Sequence, residues 1–329
     1  MPDYTIVIPV YYNEGSLFPM MDAIYNEVIK QNGEYSCEVI FVDDGSGDNS
    51  LEELLSIRKQ YPDIVKIIKL TRNFGQGNAL LAGFSYAKGK CVVAISADGQ
   101  DPPNLINDML RAFFKENYEV VACTREARDE SFYRVITSKI FYSLIRRMAF
   151  PNMPAGGFDY YLLGRRALSV FFRNIDKHPF FQGAILWTGF KIKYISYGRR
   201  KRITGKSRFT LGKKINVFLD ALMSYSFTPI RLISVIGIVV AFVGFIGALV
   251  LVLARIFGGT AVIGWTSIIV AMLVLGGLQM IMLGIIGEYL WRTLSQVRNR
   301  DFYIIDVIYD QEGETWPEKE RSNFDSENH

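Results

Sequence analysis

The segment Ser96-Ala97-Asp98-Gly99-Gln100-Asp101-Pro102-Pro103 ends an apolar run in an acidic turn, then puts proline where a helix starts. Asp98 and the side-chain oxygen of Gln100 are hard oxygen donors of the kind that hold Mg2+ or Mn2+. A nucleotide diphosphate uses such an ion twice, to balance its charge on binding and to stabilise it as a leaving group. Taken alone, the same residues also read as an Asp-Gly turn capping a helix. A second acidic text, Asp43-Asp44-Gly45-Ser46, follows another apolar run. A carboxylate there can accept hydrogen bonds from a base or a ribose, and it reads equally as a turn with helix-capping acids. Pro9, Tyr11 and Glu14 follow a third apolar run and are placed to wall a base.

These groups need a scaffold that gathers them. Strands are predicted at Thr5–Val10, Glu38–Val42, Val65–Leu70, Cys91–Ala97 and Glu119–Thr124. Helices are predicted between them at Leu17–Gln31, Leu51–Gln60, Gly77–Ala87 and Asn104–Glu116. The alternation implies an α/β domain with a mostly parallel, doubly wound sheet. Such sheets bind ligands beyond the carboxyl ends of their strands, and the polar clusters fall there. The zone Arg125 to Arg208 is less regular, with a basic helix over Phe132–Arg147, a turn at Pro151–Gly157 and a helix near Arg165–Asn174. Cys37, Cys91 and Cys123 lie in apolar runs without metal-like spacing and read as reduced core residues. His178 precedes proline and is assigned no chemistry.

The carboxyl-terminal third has a different composition. Leu232 to Ala254 holds 23 residues without a charge, and Ile256 to Gly287 holds 32 more before Glu288. About 20 apolar residues cross a bilayer core of roughly 30 Å. Spans are therefore expected at about 231–255 and 263–288, with Gly258-Gly259 in the hairpin region. Lys191 to Lys214 carries ten basic residues and no acid. With Arg292, Arg298 and Arg300 after the second span, both flanks are expected on the cytoplasmic side. Leu211–Tyr225 is amphipathic and suits a membrane interface. Met1-Pro2-Asp3 leads straight into a strand, with no signal peptide expected. Asp301–Tyr309 reads as a short strand, with pairing between subunits of a homo-oligomer as one use for it. The tail from Gln311 is expected to be disordered. The net charge of +4 is concentrated beside the spans, which points to lipid and not to nucleic acid.

Taken together, the motifs Ile8-Pro9-Val10-Tyr11 with Asn13-Glu14, Val42-Asp43-Asp44-Gly45-Ser46, Arg72-Asn73-Phe74-Gly75 and Asp98-Gly99-Gln100-Asp101-Pro102-Pro103 resemble, in order and spacing, those of family 2 glycosyltransferases with the GT-A fold. Arg125, Arg128, Ser131, Arg134, Ser138-Lys139, Asp159, Arg165-Arg166, Arg202, Gly205, Ser207-Arg208-Phe209 and Gly287-Glu288-Tyr289 extend the likeness to the polyprenyl-phosphate branch. That branch includes dolichol-phosphate mannose synthases and bacterial undecaprenyl-phosphate glucosyl- and aminoarabinosyl-transferases. The resemblance implies a GT-A (Rossmann-like) domain over 1–208, an interface helix over 209–228, a transmembrane hairpin within 229–292 and a terminal strand and tail over 293–329.

It also implies roles. Pro9, Tyr11, Glu14, Asp43, Asp44, Gly75, Ala97 and Asp98 would surround the nucleotide. Asp98 and Gln100 would bind Mg2+ or Mn2+. Arg125, Arg134, Ser138, Arg202, Ser207 and Arg208 would meet the lipid phosphate. Asp98, Asp159, Arg125 and Arg134 would form the catalytic set, with Asp159 at the sugar. The implied reaction moves a hexose, UDP-glucose being the first choice of donor, to undecaprenyl or another polyprenyl phosphate at the bacterial cytoplasmic membrane. UDP-N-acetylhexosamine and UDP-galactose are the alternative donors.

This chain departs from the branch at three places. Ser96 and Gly99 replace the usual first Asp and the Leu of the acidic turn, leaving one carboxylate fewer unless Asp101 assists. Phe158 stands where glycine precedes the sugar-site Asp, which would reshape the sugar pocket. Tyr11-Tyr12-Asn13-Glu14 has an extra tyrosine, so the base-side role falls to either Asn13 or Glu14. Two other readings remain. A processive polysaccharide synthase needs more spans and a Gln-x-x-Arg-Trp motif, where this chain has Tyr289-Leu290-Trp291-Arg292. A catalytically degenerate, membrane-tethered nucleotide-sugar binder is motivated by Ser96.

Overall fold

The computed structural model describes residues 1–125, 143, 145–147, 150–154, 156–177, 179–198, 226, 228–258, 264–298, 300–311 and 313–315. The interface helix expected at 209–228 and most of the basic helix at Phe132–Arg147 lie outside the described residues. Two units are distinct, one built from most of residues 1–214 with 301–329, the other centred on 215–300.

The first unit is organised on β1 (Tyr4–Val10), β2 (Cys37–Asp43), β3 (Val65–Leu70), β4 (Cys91–Ala94), β5 (Val120–Arg125), β6 (Tyr160–Gly164), β7 (Ile192–Tyr197), β8 (Ile305–Asp310) and β9 (Gly313–Thr315). Among the described residues these form one sheet in the order β7-β5-β6-β4-β1-β2-β3-β8-β9. Helices α1 (Leu17–Ile24, continued by a π turn over Tyr25–Ile29), α2 (Ser50–Gln60), α3 (Gln76–Tyr86) and α4 (Leu105–Phe114) supply the crossovers. The alternating β/α prediction holds for this half. Tyr4, Ile6, Ile8 and Val10 of β1 pack with Leu17, Met21 and Ile24 of α1 in the main core. Cys91 and Cys123 are buried, and burial pushes the Cys37 thiol up to about 12, so all three are poor nucleophiles.

The sheet is more mixed than expected. β4-β1-β2-β3 is parallel, but β5 does not continue that series. β6 lies between β4 and β5 and runs antiparallel to both. β5 then pairs in parallel with β7. The five residues of β6, Tyr-Tyr-Leu-Leu-Gly, are all buried. They show no alternation and pass directly into α5 (Arg165–Arg173), so periodicity gives no strand signal. β7 corrects the reading of the basic block: Lys193 belongs to this strand, and its ammonium bonds Glu116 at 2.6 and 2.7 Å.

β4 is also shorter than predicted, ending at Ala94 instead of Ala97. Its ladder with β1 runs to Val7↔Ala94, and the Ile95 N–H donates to Val7 O at 3.1 Å. Two residues on, Pro9 has no N–H to return. β1 and β4 therefore part, and the sheet opens between them.

At the other edge, β8 pairs antiparallel with β3 of the same chain and with β9. The Lys69 ammonium bonds Asp306 at 2.6 Å, and Arg58 donates to Asp310 O. The edges of β8 are thus taken within the chain, which corrects the expectation that this strand pairs between subunits. β9 likewise corrects the expectation of disorder from Gln311 onward, at least through Thr315.

The second unit holds α7 (Thr228–Gly258) and α8 (Trp265–Val297), after the short α6 (Phe181–Trp187) of the first. Both long helices contain windows long and apolar enough to cross a membrane, Ile230–Gly247 and Val274–Val297. The second extends past Glu288, where the expected span stopped. Their large apolar side chains, among them Ile238, Phe242, Phe245, Met272 and Met280, stand exposed.

Gly83 of α3 sits where a Cβ would fall 2.2 Å from Val7 Cγ1 and 3.1 Å from Val42 Cγ2. Valine is stiff at χ1, so Gly83→Ala is expected to cost about 1–3 kcal/mol. Denaturant unfolding of the purified chain should show an earlier midpoint with an unchanged slope; an unchanged midpoint would contradict this packing of α3 on the sheet.

Candidate active site

The gap between β1 and β4 is the point where strand order reverses, with β2 and β3 on one side and β4 on the other. Open α/β sheets bind ligands at this point, outside the carboxyl ends of the strands. The loops there are cross-tied. Ser16 Oγ donates to Asn13 O at 2.8 Å and to Ala97 O at 3.2 Å, joining the loop after β1 to the loop after β4. Glu53 of α2 accepts from the Gly15, Leu17 and Phe18 amides at 2.7, 3.1 and 2.9 Å. These are donors at the start of α1 that have no partner within their own helix. Glu14 points the other way: its carboxylate takes Asn49 Nδ2 at 2.7 Å, at the start of α2. Asn13 Oδ1 accepts from the Tyr11 amide at 2.9 Å. Both side chains therefore shape the loop.

Asp43 and Asp44 differ sharply although adjacent. The Asp44 carboxylate is buried and accepts from the Phe74 amide at 2.7 Å, the Gly75 amide at 2.9 Å and Asn73 Nδ2 at 3.1 Å. It fixes the Arg72–Gly75 loop and uses both oxygens in doing so. Gly45 makes the approach possible: its φ is +69°, and a Cβ would lie 2.6 Å from the Arg72 carbonyl carbon. Asp43 Oδ1 accepts from the Ser46 amide at 3.1 Å, while its Oδ2 is buried without a partner among the described residues. Burial raises the pKa of both acids, against the hydrogen bonds that each accepts.

Asp98 follows β4 in a turn that Gly99 allows with φ +68°. Its Oδ1 accepts from the Gln100 amide at 3.1 Å, and its own amide meets Ser96 Oγ at 3.5 Å. Asp101 is buried and takes the Tyr197 hydroxyl at 2.5 Å. That bond ties the acidic turn to the end of β7 through one of the two Asp101 oxygens.

The antiparallel course of β6 brings its amino-terminal end to this same edge, with Tyr160 opposite Cys123. Asp159 thereby meets Arg125 at the end of β5, with Nη2 to Oδ2 at 2.9 Å. Gln182 of α6 donates to the other oxygen of Asp159 at 3.0 Å. Arg125 Nε also reaches Tyr197 Oη at 3.5 Å. Burial pulls the Arg125 pKa down, but Asp159, Tyr197 and Asp101 together outweigh it, so the group stays charged. Burial and Asp101 push the Tyr197 phenol up, keeping it a donor. Phe158 is buried edge-on to Tyr161 and Tyr194, at 6.2 and 6.4 Å.

The expected Pro9, Tyr11, Asp43, Asp44, Gly75, Ala97, Asp98, Gln100, Arg125 and Asp159 thus all lie on strand ends and loops at one edge of the sheet. Arg134, Ser138, Arg202, Ser207 and Arg208 lie outside the described residues. Gln182 and Tyr197 were missed, since neither lies in a recognisable motif.

The sequence model described as "Glycosyl transferase family 2" matches residues 5–172. The chain belongs to glycosyltransferase family 2. It is 35% identical over 307 residues to the uncharacterized glycosyltransferase YkcC of Bacillus subtilis (strain 168), covering 93% of this chain and 94% of that relative. It is 31% identical over 304 residues to the prophage bactoprenol glucosyl transferase homolog of Escherichia coli (strain K12), covering 92% of this chain and 98% of that one. In fold, the glycosyltransferase resembles glucosyl-3-phosphoglycerate synthase from Mycobacterium tuberculosis, solved with Mn2+, UDP and glucosyl-3-phosphoglycerate. The TM-score is 0.51 at 16% identity, over 68% of this chain and 80% of that one. The GT-A assignment therefore stands, and the chain is an enzyme of glycosyl transfer. Gln182 and Tyr197 lie beyond the 5–172 match.

Raised native pKa values mean that the folded glycosyltransferase holds these protons more tightly than the unfolded chain, where Asp titrates near ~3.9. The resulting stability is full below that value and is lost as pH rises through the native values of Asp43 and Asp44. Asp43→Asn removes a buried charge with one unpartnered oxygen, so it should flatten this decline and match or exceed the parent at pH 7. Asp44→Asn keeps one accepting oxygen but turns an amide N–H toward the Phe74 amide, or toward the Gly75 amide and Asn73, and should cost about 2 kcal/mol or more. Unfolding midpoints from pH 4 to 8 measure both, and a destabilised Asp43→Asn at every pH would refute the distinction.

Proposed function

We propose that this glycosyltransferase transfers a hexose from a nucleotide diphosphate sugar, UDP-glucose being the first choice, to a polyprenyl phosphate such as undecaprenyl phosphate. The observation that carries the proposal is that the likeness to the bactoprenol glucosyl transferase homolog runs through both units, covering 92% of this chain. A second support is the exposed apolar surface of α7 and α8. Apolar area of that extent on a folded chain needs lipid or another apolar partner. Read as a transmembrane hairpin, these helices hold the enzyme at the cytoplasmic membrane, where its acceptor resides, with the catalytic unit in the cytoplasm by the placement of basic residues.

Each residue then has a task. Asp43 Oδ2, buried and unpartnered, suits an N–H or O–H of the nucleoside. Pro9, Tyr11, Gly75 and Ala97 line the nucleotide, while Asp44 and Glu14 hold the loops that do so. Among the described residues no group of three His, Cys, Asp or Glu side chains could hold a metal alone. The Asp98 carboxylate and Gln100 amide oxygen are hard donors, too few to hold an ion alone, which fits Mg2+ or Mn2+ arriving with the nucleotide. When bound, the ion would neutralise the diphosphate and stabilise it as a leaving group.

The acceptor phosphate is already an anion near neutral pH and needs no strong general base. The demands are alignment and charge control. Arg125, together with Arg134, Ser138, Arg202, Ser207 and Arg208, is assigned to the phosphates, because guanidinium offers paired donors to phosphate oxygens. Asp159 is assigned to the sugar. A single in-line displacement at the anomeric carbon inverts its configuration and gives a β-linked lipid-phosphate sugar for cell-envelope glycan modification.

Incubating the purified enzyme with undecaprenyl phosphate and labelled UDP-glucose, UDP-galactose or UDP-N-acetylglucosamine tests the reaction and picks the donor. Binding of a donor without turnover on any lipid phosphate would leave a tethered binder, the reading that Ser96 motivates. Asp98→Asn should lower kcat by about 100-fold or more, the scale set by losing one electrostatic contact to developing charge. Full activity of that variant with added Mn2+ would sink the metal assignment.

A further inference from the structure

A buried polar group lies beside the carboxylate assigned to the sugar. Gln182, on α6, is only 8% exposed. Its Nε2 donates to Asp159 Oδ1 at 3.0 Å, which fixes which way round the amide lies. The other end, Oε1, is buried and has no hydrogen-bond partner among the described residues. An unmet buried acceptor is costly, and native proteins carry few. Asp159 itself has a side chain 56% exposed, so the amide lies against a carboxylate that is open on one side. The helix bearing Gln182 is also held in place: at Gly77 of α3 a Cβ would fall 2.7 Å from the Phe181 ring. That contact docks the start of α6 against the start of α3, next to Gly75 and the loop fixed by Asp44.

We propose that Gln182 is a specificity-determining residue that reads one hydroxyl of the donor sugar, its Oε1 accepting that hydroxyl's proton in a hydrogen bond while its N–H holds Asp159. The chemistry selects the ligand group. A carbonyl oxygen needs a donor, and an ionised phosphate offers only acceptors. A divalent ion has its hard donors at Asp98 and Gln100. A hexose carries several hydroxyls, each able to donate to Oε1 and accept elsewhere. Buried groups of this kind discriminate strongly, because a sugar lacking the hydroxyl leaves the carbonyl unmet in the bound complex.

The inference rests on reading the Asp159 region as the donor-sugar site, and the experiment separates the two. Wild-type full-length enzyme, Gln182→Leu and Gln182→Met are assayed on undecaprenyl phosphate with UDP-glucose, UDP-galactose and UDP-N-acetylglucosamine. The 2-, 3-, 4- and 6-deoxy analogues of the accepted donor follow. Wild type should lose about 10- to 100-fold in kcat/KM on one deoxy analogue, the size of one unmet buried acceptor. Both variants should lose about as much on the parent sugar and nothing further on that analogue, so discrimination at that one hydroxyl disappears. Met is unbranched and close to Gln in length, so it carries the comparison if the Leu variant does not fold. Equal losses by the variants on every donor, with wild-type discrimination retained, would overturn the proposal in favour of a role confined to holding Asp159. A wild type indifferent to every deoxygenation would overturn it as well. Failure of the donor-site reading looks different: Asp159→Asn would keep wild-type kcat/KM on the parent sugar, whatever the Gln182 variants do.

Discussion

Taking the Asp44 carboxylate out of water is unfavourable unless its oxygens find donors, and Asp44 stands just beyond the end of β2. The donors come from the Phe74 and Gly75 amides and Asn73, on the loop after the next strand. The same arrangement recurs along the edge. Glu53 needs the amides at the start of α1, Asp101 needs the phenol of Tyr197, and Asp159 needs Arg125 and Gln182. Each of these four acids is satisfied by a different segment of chain. The site is therefore rigid because its acids bind loops to one another, and losing one partner leaves a charge unpaired and not merely a contact missing.

This explains why Asp43 and Asp44 play such different parts. Both are strand-end acids pushed up by burial. In Asp44 both oxygens are spent on the fold. In Asp43 one oxygen accepts from the Ser46 amide and the other has no hydrogen-bond partner among the described residues. Two identical neighbouring side chains thus differ in whether the fold uses both carboxylate oxygens or one, decided by which face of the strand end each residue occupies.

Much of this was readable from the residues. The apolar runs before Asp43 and Asp98, the helices between them and the charge-free stretches from Leu232 onward are strong periodic signals, and the structure has strands and helices there. The order of the motifs gave the family. What could not be read depends on contacts distant in sequence. β6 has no alternation because it is buried on both faces, so its direction and its place between β4 and β5 were invisible. Pro9 ended the β4 ladder early through a hydrogen bond it cannot donate, a consequence that exists only once β4 is known to lie beside β1. The strand at Ile305–Asp310 was visible, but its partner was not: Lys69 and Arg58 select β3 and its neighbours over another subunit.

The antiparallel β6 has a further consequence for catalysis. In a wholly parallel sheet, the carboxyl edge receives only the ends of strands, each followed by its own helix. Reversing one strand brings a strand's beginning to that edge, and Asp159 arrives from a chain direction opposite to that of Arg125. The two groups can then face each other across the ladder at 2.9 Å. Arg125 neutralises one oxygen of Asp159, and the second partner is the amide of Gln182 and not another cation. A second guanidinium there would add a second positive charge beside Arg125. A neutral amide holds the carboxylate through its N–H, adds no charge, and still has a carbonyl to offer. The reversal of β6 thus places a second polar wall, Asp159 with Gln182, beside the ends of the parallel strands, the wall on which the proposed reading of a sugar hydroxyl rests.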